Sequence, residues 1–194
     1  MSPDTSLGPR FSAALAFASE IHGTQTRKGT SIPYIAHLLA VTALVIEAGG
    51  DEDTAIAALL HDAVEDQGGQ PMLQHIRARF GAVVADIVES CTDADTTPKP
   101  PWRARKELYI AGIAHKPPRA LLIAAADKVH NARAILIDYK AIGERLWERF
   151  NGGREGTLWY YRALVTAFNN RVQPELWVAL QEAVDESEAL ARSS

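Results

Sequence analysis

The sequence predicts an all-α bundle of about eight to ten helices. Two observations predict it: apolar residues recur at three- and four-residue spacing in one segment after another, and no run alternates as a strand would. A third agrees with them, since Gly and Pro punctuate the chain at intervals of roughly one helix. With 194 residues, 47% apolar and 23% charged, the composition is that of one soluble globular domain, here residues 1–194. The core is expected over about 9–171, followed by a C-terminal helix over 174–192.

The elements follow in order. Residues 1–8 read as a frayed end, and from Pro9 to His22 the apolar positions Phe11, Ala14, Leu15, Ala18 and Ile21 mark the first helix, with Gly23 as its stop. Thr24 to Pro33 is a loop carrying the adjacent cations Arg27 and Lys28 before Gly29. Tyr34 to Ala48 is the second helix, with His37 set among Ile35, Leu38, Val41 and Leu44, and Gly49 and Gly50 end it. Asp51, Glu52 and Asp53 suit the first turn of a third helix, where the macrodipole favours acids. That helix is expected to run on into Ala57–Asp66.

Gly68 to Pro71 is a turn into a short helix ending at Phe80, and Gly81 separates it from an amphipathic helix ending near Thr92 or Asp93. Cys91 falls with Val83, Val84, Ile87 and Val88 on its apolar face, so packing is expected of this single cysteine, which excludes an intramolecular disulfide. Asp95 to Pro101 has loop composition throughout. A helix from Trp102 to Ala114 opens on Arg103, Arg105 and Lys106. Arg119 to about Ile137 is the most apolar helix and carries Asp127, Lys128, His130 and Asn131. A short helix to Phe150, a loop from Asn151 to Gly156, and helices over Thr157–Arg171 and Pro174–Arg192 complete the chain.

Several functions are disfavoured by composition. A net charge of -4 argues against a general nucleic-acid binder, although Arg27 with Lys28, or Arg103 with Arg105 and Lys106, can still attract a compact anion. The longest solid apolar run, Ala120–Ala126, is far too short to cross a membrane. Ala16-Phe17-Ala18 mimics a signal-peptide cleavage site, but Asp4 precedes it and the basic leader is missing, so a cytoplasmic location is expected.

The stretch AALLHDAVED, Ala57 to Asp66, opens as a buried helix and then sets His61, Asp62, Glu65 and Asp66 where apolar residues should continue. Buried carboxylates are paired, protonated or metal-bound, and no Lys or Arg lies within the stretch. On a continuous helix His61 and Glu65 share one face, and Asp62 and Asp66 the next. The alternative is a helix that ends near Asp62, with Glu65 and Asp66 as solvated turn residues. His37, His61, Asp62 and Asp127, on three apolar helices, have the character of ligands to Mn, Fe or Zn rather than Ca or Mg.

The runs HGTQTRKGTSIPYIAH (His22–His37), ALLHDAVED (Ala58–Asp66) and ADKVHN (Ala126–Asn131) together resemble the hydrolase domain of RelA/SpoT homologues, within the HD phosphohydrolase superfamily. GGREGTLWYY (Gly152–Tyr161) extends the likeness along most of the chain, which looks like a small alarmone hydrolase without a synthetase or regulatory domain. The resemblance implies that His37, His61, Asp62 and Asp127 hold one Mn²⁺ per chain, and that Glu65 and Asp66 are the catalytic acids. One would orient or deprotonate the attacking water, and the other would protonate the departing ribose 3′ oxygen. The implied reaction removes pyrophosphate from the 3′ position of a purine alarmone such as ppGpp, or of ppApp.

By the same resemblance Arg27 stacks on the purine, Lys28 contacts the base or settles the loop, and Asn131 bonds the ribose. Lys106 and Arg154 are candidates for the 5′ and 3′ phosphates, and Tyr160 or Tyr161 for a wall of the nucleotide pocket. Leu38 stands where the family commonly has proline, and Lys128 with Val129 replaces a frequent Arg and Leu. The rival readings are another metal-dependent HD phosphohydrolase, acting on nucleoside monophosphates or cyclic nucleotides, and a nucleotide sensor that has lost turnover. Oligomeric state is not legible in the sequence.

Overall fold

The structure, a computed structural model, describes residues 6–92 and 100–193. Asp4, Asp93 and most of the 95–101 loop therefore lie outside the described residues. Among those described, ten α-helices and two 3-10 segments make up the regular structure, together with one isolated bridge between Thr26 and Pro33. The all-α expectation holds. No helix among the described residues is long and apolar enough to cross a membrane. By internal contacts the described chain forms two compact units, residues 6–92 with 116–126 and residues 100–115 with 127–193. One helix, Pro118–Ile142, contributes to both.

The first unit is built from α1 (Pro9–Ile21), α2 (Ile35–Glu47), α3 (Glu52–Leu60), α4 (Ala63–Gln67), α5 (Gly69–Phe80) and α6 (Ala82–Cys91). α3 is buried on every side from Thr54 to Leu60, and α1, α2 and α6 pack around it. Its start is specified by Asp51, whose carboxylate accepts from the Thr54 amide at 3.0 Å and the Thr54 hydroxyl at 2.6 Å. Arg119 pairs with the same carboxylate. The expected fraying stops short of Gly8, whose amide donates to Glu52 at 2.7 Å.

α6 departs from expectation in one respect. Val84, Ala85, Ile87 and Val88 form its buried stripe, while Val83 is 48% exposed and Cys91 is half-buried. Val83 lies on the flank of that stripe, whereas Cys91 falls within its angular span as the last residue of the helix.

The second unit holds α7 (Trp102–Gly112) with a 3-10 turn at Ile113–His115, the later part of α8 (Pro118–Ile142), a 3-10 segment at Gly143–Arg149, α9 (Gly153–Phe168) and α10 (Pro174–Ser193). α8 runs on to Ile142 rather than stopping at Ile137, because Ile135, Leu136 and Tyr139 keep its buried face in helical register. Gly143, at φ 61°, then ends it. Ile135, Tyr139, Leu146, Trp147 and Ala191 form one core cluster of this unit.

α9 begins at Gly153, inside the expected loop. The glycines there serve close packing: the Trp102 ring lies so near Gly152 that a Cβ would sit 2.6 Å from it, and one at Gly156 would sit 3.2 Å away.

Candidate metal centre

His37 enters the site from α2, whose buried positions His37, Leu38, Val41, Thr42 and Val45 follow helical spacing. His61 and Asp62 come from a break. The continuous helix expected across Ala57–Asp66 is interrupted by a turn at these two residues before α4 resumes at Ala63. At the end of α3 the His61 ring bonds through Nδ1 to the Ala58 carbonyl at 2.8 Å, while the backbone at His61 and Asp62 stays in the right-handed helical region.

Consecutive residues on an α-helix point about 100° apart and do not face each other. Here His61 Nε2 and Asp62 Oδ2 lie 3.1 Å apart, and His37 Nε2 is 3.6 Å from the same oxygen. The Tyr34 hydroxyl donates to that oxygen at 2.6 Å. His37 is 1% exposed and His61 6%, whereas Asp62 keeps 23% of its side chain in solvent.

Glu65 and Asp66 are exposed on α4, as in the alternative of a helix ending near Asp62 rather than the buried one. The short helix turns its apolar residues, Ala63 and Val64, inward and its acids outward.

Asp127 follows directly on the stretch of α8 that belongs to the first unit, and the helix passes through it unbroken. His37, His61 and Asp127 are each buried. Asp127 is also held from α8 itself, with Lys128 Nζ on Oδ2 and Asn131 Nδ2 on Oδ1, both at 2.5 Å.

These residues fit a divalent cation. Because an imidazole in the neutral form has one donor nitrogen, the Nδ1–H of His61 given to Ala58 makes Nε2 the lone-pair donor. That lone pair faces a carboxylate oxygen, a contact that requires positive charge between the two. Burial pushes the Asp62 carboxyl up, but charge on protonated His61 and His37 and bonds from both rings more than offset this and leave it well below the usual carboxylate range; a bound cation would supply that charge to neutral imidazoles. Two imidazoles with carboxylates suit Mn, Fe or Zn.

The loop before α2 is folded on itself. The Arg27 amide donates to Ile32 O at 2.8 Å, the Tyr34 amide donates to Gln25 O at 2.9 Å, and Gly29 turns the tip at φ 73°. Lys28 is exposed at that tip and Arg27 is half-buried. Sequence reasoning assigned nothing to three further residues of this segment. His22 is buried and stacks on Tyr34 with ring centroids 5.4 Å apart, and Gln25 donates to Asp66 Oδ2 at 2.8 Å. Their presence in the motif His22–His37 was the available signal.

In the second unit Lys106 Nζ lies 4.6 Å from the centre of the buried Tyr160 ring, which packs edge-on against Tyr161. Arg154 donates to the Ala191 carbonyl and contacts Glu144. Lys128 Nζ sits 4.8 Å over the Tyr109 ring. Burial pushes Lys128 down, but the charge of Asp127, with Tyr109, Tyr160 and Tyr161, more than reverses this and holds it well above the ordinary lysine value.

The chain is similar to several known proteins. The chain is 42% identical over 123 residues to a protein of Xenopus tropicalis named guanosine-3′,5′-bis(diphosphate) 3′-pyrophosphohydrolase MESH1, covering 62% of this chain and 66% of that one. It is 36% identical over 124 residues to the guanosine-3′,5′-bis(diphosphate) 3′-pyrophosphohydrolase of Aquifex aeolicus, covering 64% of this chain and 17% of that one. The matched segment thus spans less than two thirds of either relative. A solved structure of a metazoan ortholog of SpoT, described as hydrolysing ppGpp, superposes with a TM-score of 0.77 at 26% identity over 94% of this chain and 97% of that one. The family model for the HD domain matches residues 14–157, from within α1 to the start of α9, and the chain belongs to the HD domain family.

Proposed function

We propose that this chain is a Mn²⁺-dependent 3′-pyrophosphohydrolase of hyperphosphorylated purine nucleotides. It would convert ppGpp to GDP and pppGpp to GTP, each with release of pyrophosphate, and would accept the adenine counterparts as well. The observation that carries the reading is the approach of His37 and His61 Nε2 to Asp62 Oδ2, at 3.6 and 3.1 Å, in a chain whose relatives bear that activity in their names.

In this reading His37, His61, Asp62 and Asp127 hold one Mn²⁺, which supplies Lewis acidity and makes water a competent nucleophile near neutral pH. The protein's own groups do the rest. Water attacks the phosphorus attached to the ribose 3′ oxygen, and the bond from that phosphorus to the 3′ oxygen breaks. Of Glu65 and Asp66, one takes the proton from water and the other gives a proton to the departing oxygen. Their exposure on α4 leaves both accessible to a solvated nucleotide.

Arg27 stacks on the purine, with Lys28 beside it on the same loop, and Asn131 bonds the ribose. Lys106 and Arg154 take the phosphates, and Tyr160 and Tyr161 wall the base. Arg154 must exchange its bonds to Ala191 and Glu144 to do so. Stacking by Arg does not distinguish guanine from adenine, so the rate ratio between ppGpp and ppApp decides the base preference. A nucleotide substrate of this class places the protein in the cytoplasm.

The test is pyrophosphate release from ppGpp and ppApp by Mn²⁺-loaded protein. Glu65→Ala and Asp62→Ala are each expected to lose about a hundredfold or more. If loaded protein turns over neither substrate, the chain is a different HD phosphohydrolase, and nucleoside monophosphates and cyclic nucleotides become the substrates to examine.

A further inference from the structure

Next to Asp66 the structure holds His22, Gln25 and Gln67, three polar residues with no role in the proposed reaction. Gln25 Nε2 donates to Asp66 Oδ2 at 2.8 Å. The carbonyl end of the same amide, Gln25 Oε1, lies 2.7 Å from His22 Nδ1 and 2.6 Å from Gln67 Nε2. His22 is 2% exposed, and Gln67, at the end of α4, is half-buried.

Gln67 Nε2 lies 3.3 Å from His22 Nδ1 as well, and the Asp66 carboxylate, which can only accept, sets the orientation of the Gln25 amide. Its carbonyl oxygen accepts from Gln67, an amide NH₂ that can only donate, and from His22, whose Nδ1 must then carry the proton. Turning the amide over would set its NH₂ against those two donors and its carbonyl against the Asp66 carboxylate, which would be repulsive on both sides. His22 is fixed in turn by stacking on Tyr34, the residue whose hydroxyl donates to Asp62. The cluster thus joins the loop before α2 to one acid of α4.

We infer that Gln25 is a positioning residue: held by His22 and Gln67, it fixes the Asp66 carboxylate by one oxygen and leaves the other for proton transfer. The inference rests on the reading of Asp66 as a catalytic acid. Exposed on a short helix, an Asp side chain would otherwise move among rotamers, and a carboxylate misplaced by about 1 Å can cost a hundredfold in rate.

Gln25→Glu is the discriminating variant, since it keeps an acceptor for His22 and Gln67 and puts a second carboxylate oxygen, which repels Asp66, in place of the donor. Expected is a fall in kcat of about tenfold to a hundredfold, with KM, Mn²⁺ content and Tm unchanged. Gln67→Leu, which frees the amide from α4, should lower kcat in the same direction by less. Wild-type kcat in Gln25→Glu overturns the inference, as does a loss accompanied by lower Tm or lost metal. If wild-type protein turns over no alarmone, it is the proposed function that fails. Crystal structures of wild type and Gln25→Glu then decide the positioning role: a displaced Asp66 carboxylate supports it, and an unmoved one overturns it.

Discussion

His61 makes two contacts, and the site depends on both. Its Nδ1 bonds the Ala58 carbonyl at the end of α3, and its Nε2 meets Asp62 at 3.1 Å. Tyr34 completes the setting of Asp62 from the start of α2. Removing that hydroxyl in Tyr34→Phe should weaken Mn²⁺ binding by about tenfold, as loss of an outer-shell bond generally does, and isothermal titration will read it. The identities of His37, His61, Asp62 and Asp127 were legible because four such residues stand in apolar surroundings. Tyr34 and Gln25 were not. A polar residue in a loop next to cations has many ordinary uses, and only distances of 2.6 and 2.8 Å to the acids separate these two from the rest.

At the scale of elements, caps and close approaches decide where helices begin and end. Asp51 starts α3, and Asp51→Ala should destabilise the protein by about 1 kcal/mol at neutral pH in denaturant titrations. Burial raises the Asp51 carboxyl, but its bonds from Thr54 and the charge of Arg119 lower it by more, so its folded-state value is depressed. Its contribution is therefore complete above an unfolded-state value of about 3.9 and is lost as pH falls through the lower folded value. The difference in stability between wild type and Asp51→Ala should accordingly shrink in strongly acidic solution. In the second unit Gly152→Ala would drive a methyl into the Trp102 ring, at a cost of about 1–3 kcal/mol, measurable as a lower Tm. The acids at 51–53 announced the start of α3 through their preference for a first helical turn. The start of α9 was illegible for the opposite reason: Gly152, Gly153 and Gly156 look like a loop until Trp102, 50 positions or so away in sequence, is seen to need them.

For the whole molecule, function turns on whether the buried His and Asp groups, chemically incomplete without positive charge, hold a metal that runs the exposed acids of α4. Pyrophosphate release from ppGpp, by protein stripped with chelator and titrated with Mn²⁺, measures this most directly. Activity that is absent from the stripped protein and saturates at about one Mn²⁺ per chain is the predicted result, since the described residues offer one such set of ligands. Undiminished turnover by the stripped protein, or a second equivalent of metal required for activity, would contradict it.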